Sequence, residues 1–223
     1  MLKIEERNSD PYFDSFKSQC LQVVALFDDL FFFKFTGDMI RQNVQPKVSD
    51  LSYPAWIMRS ATVSLVAAVG RLCDESGEAT SFVKFLRQLK NSGSRYLTKS
   101  SYLEFFDNKS VASKRFDDLA GTSEKTYPLQ KIEDDIFDLT KKEPCLKILN
   151  YRHEYVAHKA KTPDPKLPTY DELYAATEII SQKMKHYELL LLARVSSSHT
   201  PTHVDDWRKA LAFPWLPGEK NES

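Results

Sequence analysis

The chain has 223 residues, and 31 Lys plus Arg are balanced by 31 Asp plus Glu, so its formal net charge is zero. That length suits one large domain, or one domain with an appendage, and is enough to bury a real core. The charge balance argues against a strongly basic nucleic-acid binder and against an acidic disordered chain.

The first predicted helix opens at Asp10-Pro11, with Asp10 as N-cap and Pro11 at the first helical position. Phe13, Phe16, Cys20, Val23, Phe27, Leu30 and Phe31 follow at three- and four-residue steps, and Gly37 is expected to close the helix. The run Phe31-Phe32-Phe33 is too apolar for one helical face. It reads either as plain core or as contact with a second helix layer or a second subunit. Residues 38–51 read as polar and irregular. A second long helix is expected from Ser52 to Asp74, with Trp56, Ile57, Ser60, Val63, Ala67 and Leu72 as its apolar or small positions. Ser64, Ala68 and Gly70 thin its other faces, so neighbours can approach closely and the helix should be central.

Thr80 is the expected cap of a third helix carrying Phe82, Phe85, Leu86 and Leu89, stopped at Asn91-Ser92-Gly93. Tyr102, Leu103, Phe105 and Phe106 predict one or two helical turns. Val111, Phe116 and Leu119 predict another helix, ended by Gly121. Pro128 starts the next, with Leu129, Ile132, Ile136 and Leu139 inside. Pro144 breaks it and begins another, with Leu146, Leu149, Val156 and Tyr155 on its apolar stripe. Pro163, Pro165 and Pro168 make a stiff loop. Thr169-Tyr170-Asp171-Glu172 is a capping box. It opens a last long helix carrying Leu173, Ala176, Ile180, Met184, Tyr187 and Leu191, expected to end at Ser196-Ser197-Ser198. No period-two alternation predicts a strand, and no repeat appears at solenoid period. The expected fold is all-α, an up-and-down bundle of four to five principal helices over residues 1–195. Residues 196–223 form a tail with a short helix, Val204 to Phe213, packed on the body.

Three cysteines, Cys20, Cys73 and Cys145, are odd in number and widely spaced, and so form neither a metal-ligand pair nor a disulfide framework. All three fall at apolar helical positions and read as buried free thiols in a reducing compartment. Met1 leads into Lys3, Glu5, Glu6 and Arg7 rather than a signal peptide, and the longest apolar runs carry charges or are too short to span a bilayer. These features predict a soluble cytoplasmic protein with no membrane partner. Charge is uneven along the chain. Lys84, Arg87, Lys90, Arg95, Lys99, Lys109, Lys114 and Arg115 outnumber Glu104 and Asp107, and acids dominate 116–138. Tyr96, Tyr102, Phe105 and Phe106 lie among those cations. The pattern reads as a solvated face with its aromatics inward, or as a surface for single-stranded RNA.

One stretch concentrates the chemistry: Tyr151-Arg152-His153-Glu154-Tyr155-Val156-Ala157-His158-Lys159. His153 and His158 are five apart, about 140° on an α-helix, whereas a zincin pair needs a four-residue step of about 40°. No G-x-S-x-G elbow and no glycine-rich phosphate loop is present, which removes Ser-His-Asp hydrolases and phosphate-cradling loops. What remains is an arginine fork suited to phosphate oxygens and histidines that titrate near neutrality. Those groups suffice to cleave RNA through its own 2′-hydroxyl. A base takes the hydroxyl proton, a cation steadies the charged phosphorane and an acid protonates the leaving oxygen. Arg152 can equally pair with Glu154 or with an acid on another helix. Glu154 and His158, four apart, can form a plain surface pair.

An Arg, then Asn, Asp or His, then a few residues and a His near a helix end is the signature of the HEPN superfamily. Arg152-His153 and Ala157-His158, the proline-rich loop and Thr169–Leu192 resemble it. Arg71-Leu72-Cys73-Asp74 is similar to the Arg-Leu-x-Asp of its abortive-infection, AbiU-type branch. The resemblance covers residues 10–195 by helix order. It implies a helical bundle, a two-fold homodimer and metal-independent endoribonuclease activity without a cofactor, serving as a toxin or antiphage effector that an antitoxin partner can hold. It implies Arg152, His158 and His153 as catalytic residues, with Lys159, Tyr155 and Glu154 binding the RNA substrate. His153 stands where Asn or Asp is commoner, so either histidine can be the base. Many HEPN-like domains have lost catalysis and act as interaction modules, and such a module binding a protein or nucleotide partner is the alternative.

Overall fold

A computed structural model describes residues 10–43, 52–75, 80–157 and 167–194. Within them the chain is an all-α bundle. A 3₁₀ turn, Pro11–Phe13, leads into α1 (Asp14–Asn43). Then come α2 (Ser52–Cys73), α3 (Phe82–Ser92), α4 (Lys99–Leu103), α5 (Lys109–Ala120), α6 (Leu129–Lys141) and α7 (Cys145–Tyr151). A π-helical turn, Arg152–Ala157, continues from α7, and α8 (Tyr170–Leu192) closes the bundle. The only strand-like feature among the described residues is an isolated bridge, Thr98 to Thr126. The predicted tail, including Trp207 and Trp215, lies outside the described residues.

α1, α2 and α8 form the framework. α2 packs against α1, α3, α7, α8 and the π turn, which makes it the central helix. α1 and α8 run antiparallel: Phe33 stacks on Tyr170 with ring centroids 6.3 Å apart, and Phe27 meets Tyr174 at 6.0 Å. At the other end Cys20 meets Glu188. The predicted inward residues of α1 from Phe13 to Leu30 are buried, and Phe31 is half-buried.

Several expectations are corrected. α1 runs through Gly37 to Asn43. A Cβ at position 37 would stand 3.2 Å from the Met58 methyl, so this glycine serves close packing of α1 on α2 rather than termination. The buried face of α2 is Thr62, Leu65, Val66, Val69, Leu72 and Cys73, while Trp56 is 63 % exposed and Ser60 is exposed. The α3 cap is Ser81, not Thr80. Val111 and Leu129 are exposed, Ala112 and Ala120 taking the inward places on α5. On α7 the buried residues are Cys145, Ile148 and Tyr151, with Leu146 and Leu149 half-buried. α8 ends at Leu192, capped by Ala193 in the left-handed region at φ 52°. By length and composition alone, Ala55–Cys73 is apolar enough to cross a membrane, although it carries Arg59 and Arg71.

The basic segment has its aromatics inward. Tyr96 and Tyr102 are buried, Phe106 packs against the core, and Lys99, Lys90, Arg87 and Arg95 pair with Asp117, Glu133, Glu75 and Asp10. The three cysteines are free and buried. Cys73 and Cys145 nevertheless meet across the α2–α7 contact, where the hydrogen bond to Cys145 and then burial push the Cys73 thiol up. Between α6 and α8 lies a polar network. Tyr187 donates to Asp135 Oδ2 at 2.8 Å, Lys183 holds Asp135 and Asp138, and the Tyr127 hydroxyl lies 2.8 Å from His186 Nε2. Burial lowers the His186 pKa, helped by Lys131 and Lys183 and opposed by Asp135.

Candidate functional site

The site is built at the C-terminal end of α2, where the π turn crosses it. Position 70 is glycine. A Cβ there would stand 2.1 Å from Arg152 Cδ and 2.9 Å from Nε, so the stem of Arg152 occupies the space that a side chain would fill. One turn further on, Asp74 accepts a hydrogen bond from Arg152 Nη1 at 2.9 Å. Side-chain exposure is 28 % for Arg152 and 16 % for Asp74, so the pair is neither a surface contact nor fully dry. Asp74 is itself pinned. The Ser81 hydroxyl donates to the Asp74 carbonyl while accepting from Lys84 N at 3.1 Å, and Glu75 takes Arg87 at 2.7 Å. The α3 cap therefore holds the backbone of the residue whose carboxylate meets Arg152.

The partner of Arg152 is thus an acid just past the end of α2, 78 positions away, and not Glu154. One edge of its fork is engaged and part of it faces solvent. His153 and Glu154 are exposed at the outer side of the π turn. Tyr155 is half-buried, its ring 5.1 Å from that of Tyr151 at 33°. Val156 and Ala157 complete the turn by backbone, and their side-chain surroundings lie outside the described residues, as do His158 and Lys159. The structure thus brings Arg152, His153, Glu154 and Tyr155 onto one turn without showing how His158 meets them.

The π turn corrects one premise. Hydrogen bonds here close over five residues instead of four, and such turns recur at functional sites. The angular separation derived from α-helical winding for His153 and His158 therefore does not hold through residue 157. Among the described residues no group of three or more His, Cys, Asp or Glu is placed to hold a metal.

Two participants escaped the sequence reading. Gly70 was legible only as a small residue on a crowded helix, and its specific use, a slot for Arg152, needs the fold. Arg59 carried no motif at all. It is exposed on α2, and its charge acts on the Tyr151 phenol. Burial pushes that phenol up, and Arg59 works against the shift.

No protein-family model, curated protein or solved structure matches the chain.

Proposed function

We propose that the chain is a metal-independent endoribonuclease of HEPN type, a cytoplasmic toxin or antiphage effector that cleaves RNA through the 2′-hydroxyl. The observation that carries this reading is the Arg152–Asp74 ion pair. It joins, in space, the two separate stretches on which the resemblance rests: Arg71 to Asp74, and Arg152 with His153. A carboxylate that orients one edge of a guanidinium leaves the other edge aimed and pre-organised for a phosphate oxygen. In the reaction Arg152 holds the phosphate and stabilises the charge of the transition state. His158 moves the proton and His153 orients or shares that work. Tyr155, Glu154 and Lys159 contact the strand.

The test is purified protein incubated with several RNAs in EDTA, with single-stranded DNA as control. The expected products are RNA fragments ending in 2′,3′-cyclic phosphate, with DNA uncut because it lacks the nucleophile. His158→Ala should cost on the order of 10²–10⁴ in rate. Arg152→Ala should cost a similar factor, and Arg152→Lys should rescue poorly because a point charge cannot replace the fork. No cleavage by wild type on any RNA would overturn the reading, and equal cleavage by His158→Ala would expose a wrong site or a contaminant. A second reading has its own support. Arg152 is already engaged by Asp74, which suits a structural arginine in an interaction module that binds a protein partner such as an antitoxin without turnover.

A further inference from the structure

Arg71 stands next to the slot that seats Arg152. Gly70, just before it, leaves the space that the Arg152 stem fills, and Asp74, three residues on, takes the Arg152 head at 2.9 Å. Residues three and four apart are neighbours on a helix surface, so Arg71 has two acids within its ordinary reach, Asp74 and Glu75. Both are engaged from other elements, Asp74 by Arg152 and Glu75 by Arg87 at 2.7 Å. Arg71 forms no ion pair among the described residues. Gly70, Leu72 and Cys73 around it are buried, yet Arg71 itself is exposed. Its guanidinium therefore meets solvent at the same end of α2 as the partly exposed head of Arg152. Three guanidiniums, those of Arg71, Arg87 and Arg152, thus gather there around the carboxylates of Asp74 and Glu75.

We propose that Arg71 is a substrate-binding residue of this site, taking the RNA backbone phosphate next to the one that Arg152 holds. An exposed guanidinium that no carboxylate neutralises exchanges its counterion for a phosphate at little cost, and its fork matches phosphate oxygens. Asp74 is the reason that the two forks serve two phosphates. It holds one edge of Arg152 and stands three residues from Arg71, so a single phosphate shared by both forks would be pressed against that carboxylate. Neighbouring phosphates of one strand avoid the repulsion. One fork fixes a point on the strand, and two fix its direction across the π turn, which brings the 2′-hydroxyl to a defined side of the scissile bond. The inference rests on the ribonuclease reading, but its test does not depend on turnover.

The probe is a fluorescent 12-nucleotide 2′-O-methyl RNA, which keeps the backbone phosphates and blocks cleavage. Binding is followed by anisotropy from low to moderate salt for wild type, Arg71→Ala, Arg71→Lys and, as an exposed cation on α5, Lys114→Ala. Arg71→Ala should weaken binding about tenfold and lower the slope of log affinity against log salt by about 0.7, the loss of one single-strand phosphate contact. Arg71→Lys should keep the slope and recover part of the affinity, because the charge returns without the fork. Lys114→Ala should match wild type, and the urea midpoint of Arg71→Ala should stay at the wild-type value. A lowered midpoint with wild-type binding would mean that Arg71 merely balances the negative end of the α2 dipole, and would overturn the inference. A binding loss equalled by Lys114→Ala would overturn it too. Adenosine monophosphate at the same phosphate concentration should not displace the strand, and displacement would sink the claim of two neighbouring phosphates. Should wild type bind with Arg71 dependence yet fail to cleave unmodified RNA, the subsite stands and the nuclease reading falls. Should wild type cleave RNA while Arg71→Ala binds as tightly, the subsite falls and the nuclease reading stands. If wild type does not bind the strand at all, both fall.

Discussion

The guanidinium of Arg152 reaches Asp74 only because position 70 has no side chain. Gly70→Ala sets two effects against each other. Alanine gains about 1 kcal/mol over glycine in a helix interior. A Cβ 2.1 Å from Arg152 Cδ cannot coexist with the observed rotamer. Displacing Arg152 also takes an ion-pair partner from a largely buried carboxylate, which costs up to about 1–3 kcal/mol. The clash and the lost pair outweigh the propensity gain, so urea denaturation should show Gly70→Ala less stable by about 1–2 kcal/mol. An unchanged or raised midpoint would mean that Arg152 has another comfortable seat. His186 gives a second prediction at this scale. Its folded pKa is lowered, first by burial. The unfolded chain therefore takes up a proton near pH 6.5 that the folded chain refuses. The contribution of neutral His186 is present in full above that pH and is lost as pH falls toward the lowered folded value. The urea midpoint should drop between pH 7.5 and 5.5, and His186→Gln should flatten that part of the profile. A midpoint rising with acid over this range would contradict the burial argument.

Helices give the best view of what the sequence carried and what it withheld. The Thr169 capping box is present in both halves: Glu172 N bonds to Thr169 Oγ1 at 3.3 Å, and Thr169 N to Glu172 Oε2 at 2.9 Å. Thr169→Ala should cost about 1 kcal/mol. Glu172→Ala should cost more, because Glu172 also holds Lys147 across to α7. Chemical denaturation of the two variants checks the order, and a reversal would mean that the Lys147 pair contributes nothing. That box was legible because it is local chemistry at fixed offsets. The inward face of α8 was legible for a related reason, since polar residues separate its apolar ones. α2 defeated the same reasoning. It is apolar or small nearly all round, so periodicity has no phase, and only packing decides that Val66 and Val69 go inward while Trp56 stays out. Gly37 misled because a helix tolerates one glycine where a neighbour needs the room. The Arg152 stretch stood out by composition. Its partner could not be read, because nothing local links residue 152 to residue 74.

At the scale of the whole molecule, the expected state is a two-fold homodimer. α1 and α2 leave a cleft of about 230 Å³ lined by Phe32, Phe33, Ile57, Met58 and Ala61. Phe32 is 44 % and Trp56 63 % exposed on these same two helices. In the expected dimer this apolar surface would be the contact between copies. A self-complementary face closes on itself as a dimer and supplies two Arg152 forks in place of one. Light scattering should give twice the chain mass at micromolar concentration, and Trp56→Glu should shift it toward the monomer. A wild-type monomer would remove this expectation.

The slot at position 70 also constrains history. Arginine at 152 and glycine at 70 are not two independent choices. With Arg152 in place, any Cβ at 70 is penalised. With Arg152 replaced by a short side chain, glycine becomes the poorer residue, because alanine suits the helix better by about 1 kcal/mol and nothing stands in its way. The sign of one substitution therefore depends on the other. A lineage that surrenders the arginine opens a path to filling position 70, and once that path is taken the arginine cannot simply return. Loss of this residue would work as a ratchet, and the residue at 70 would record which side of it a descendant stands on.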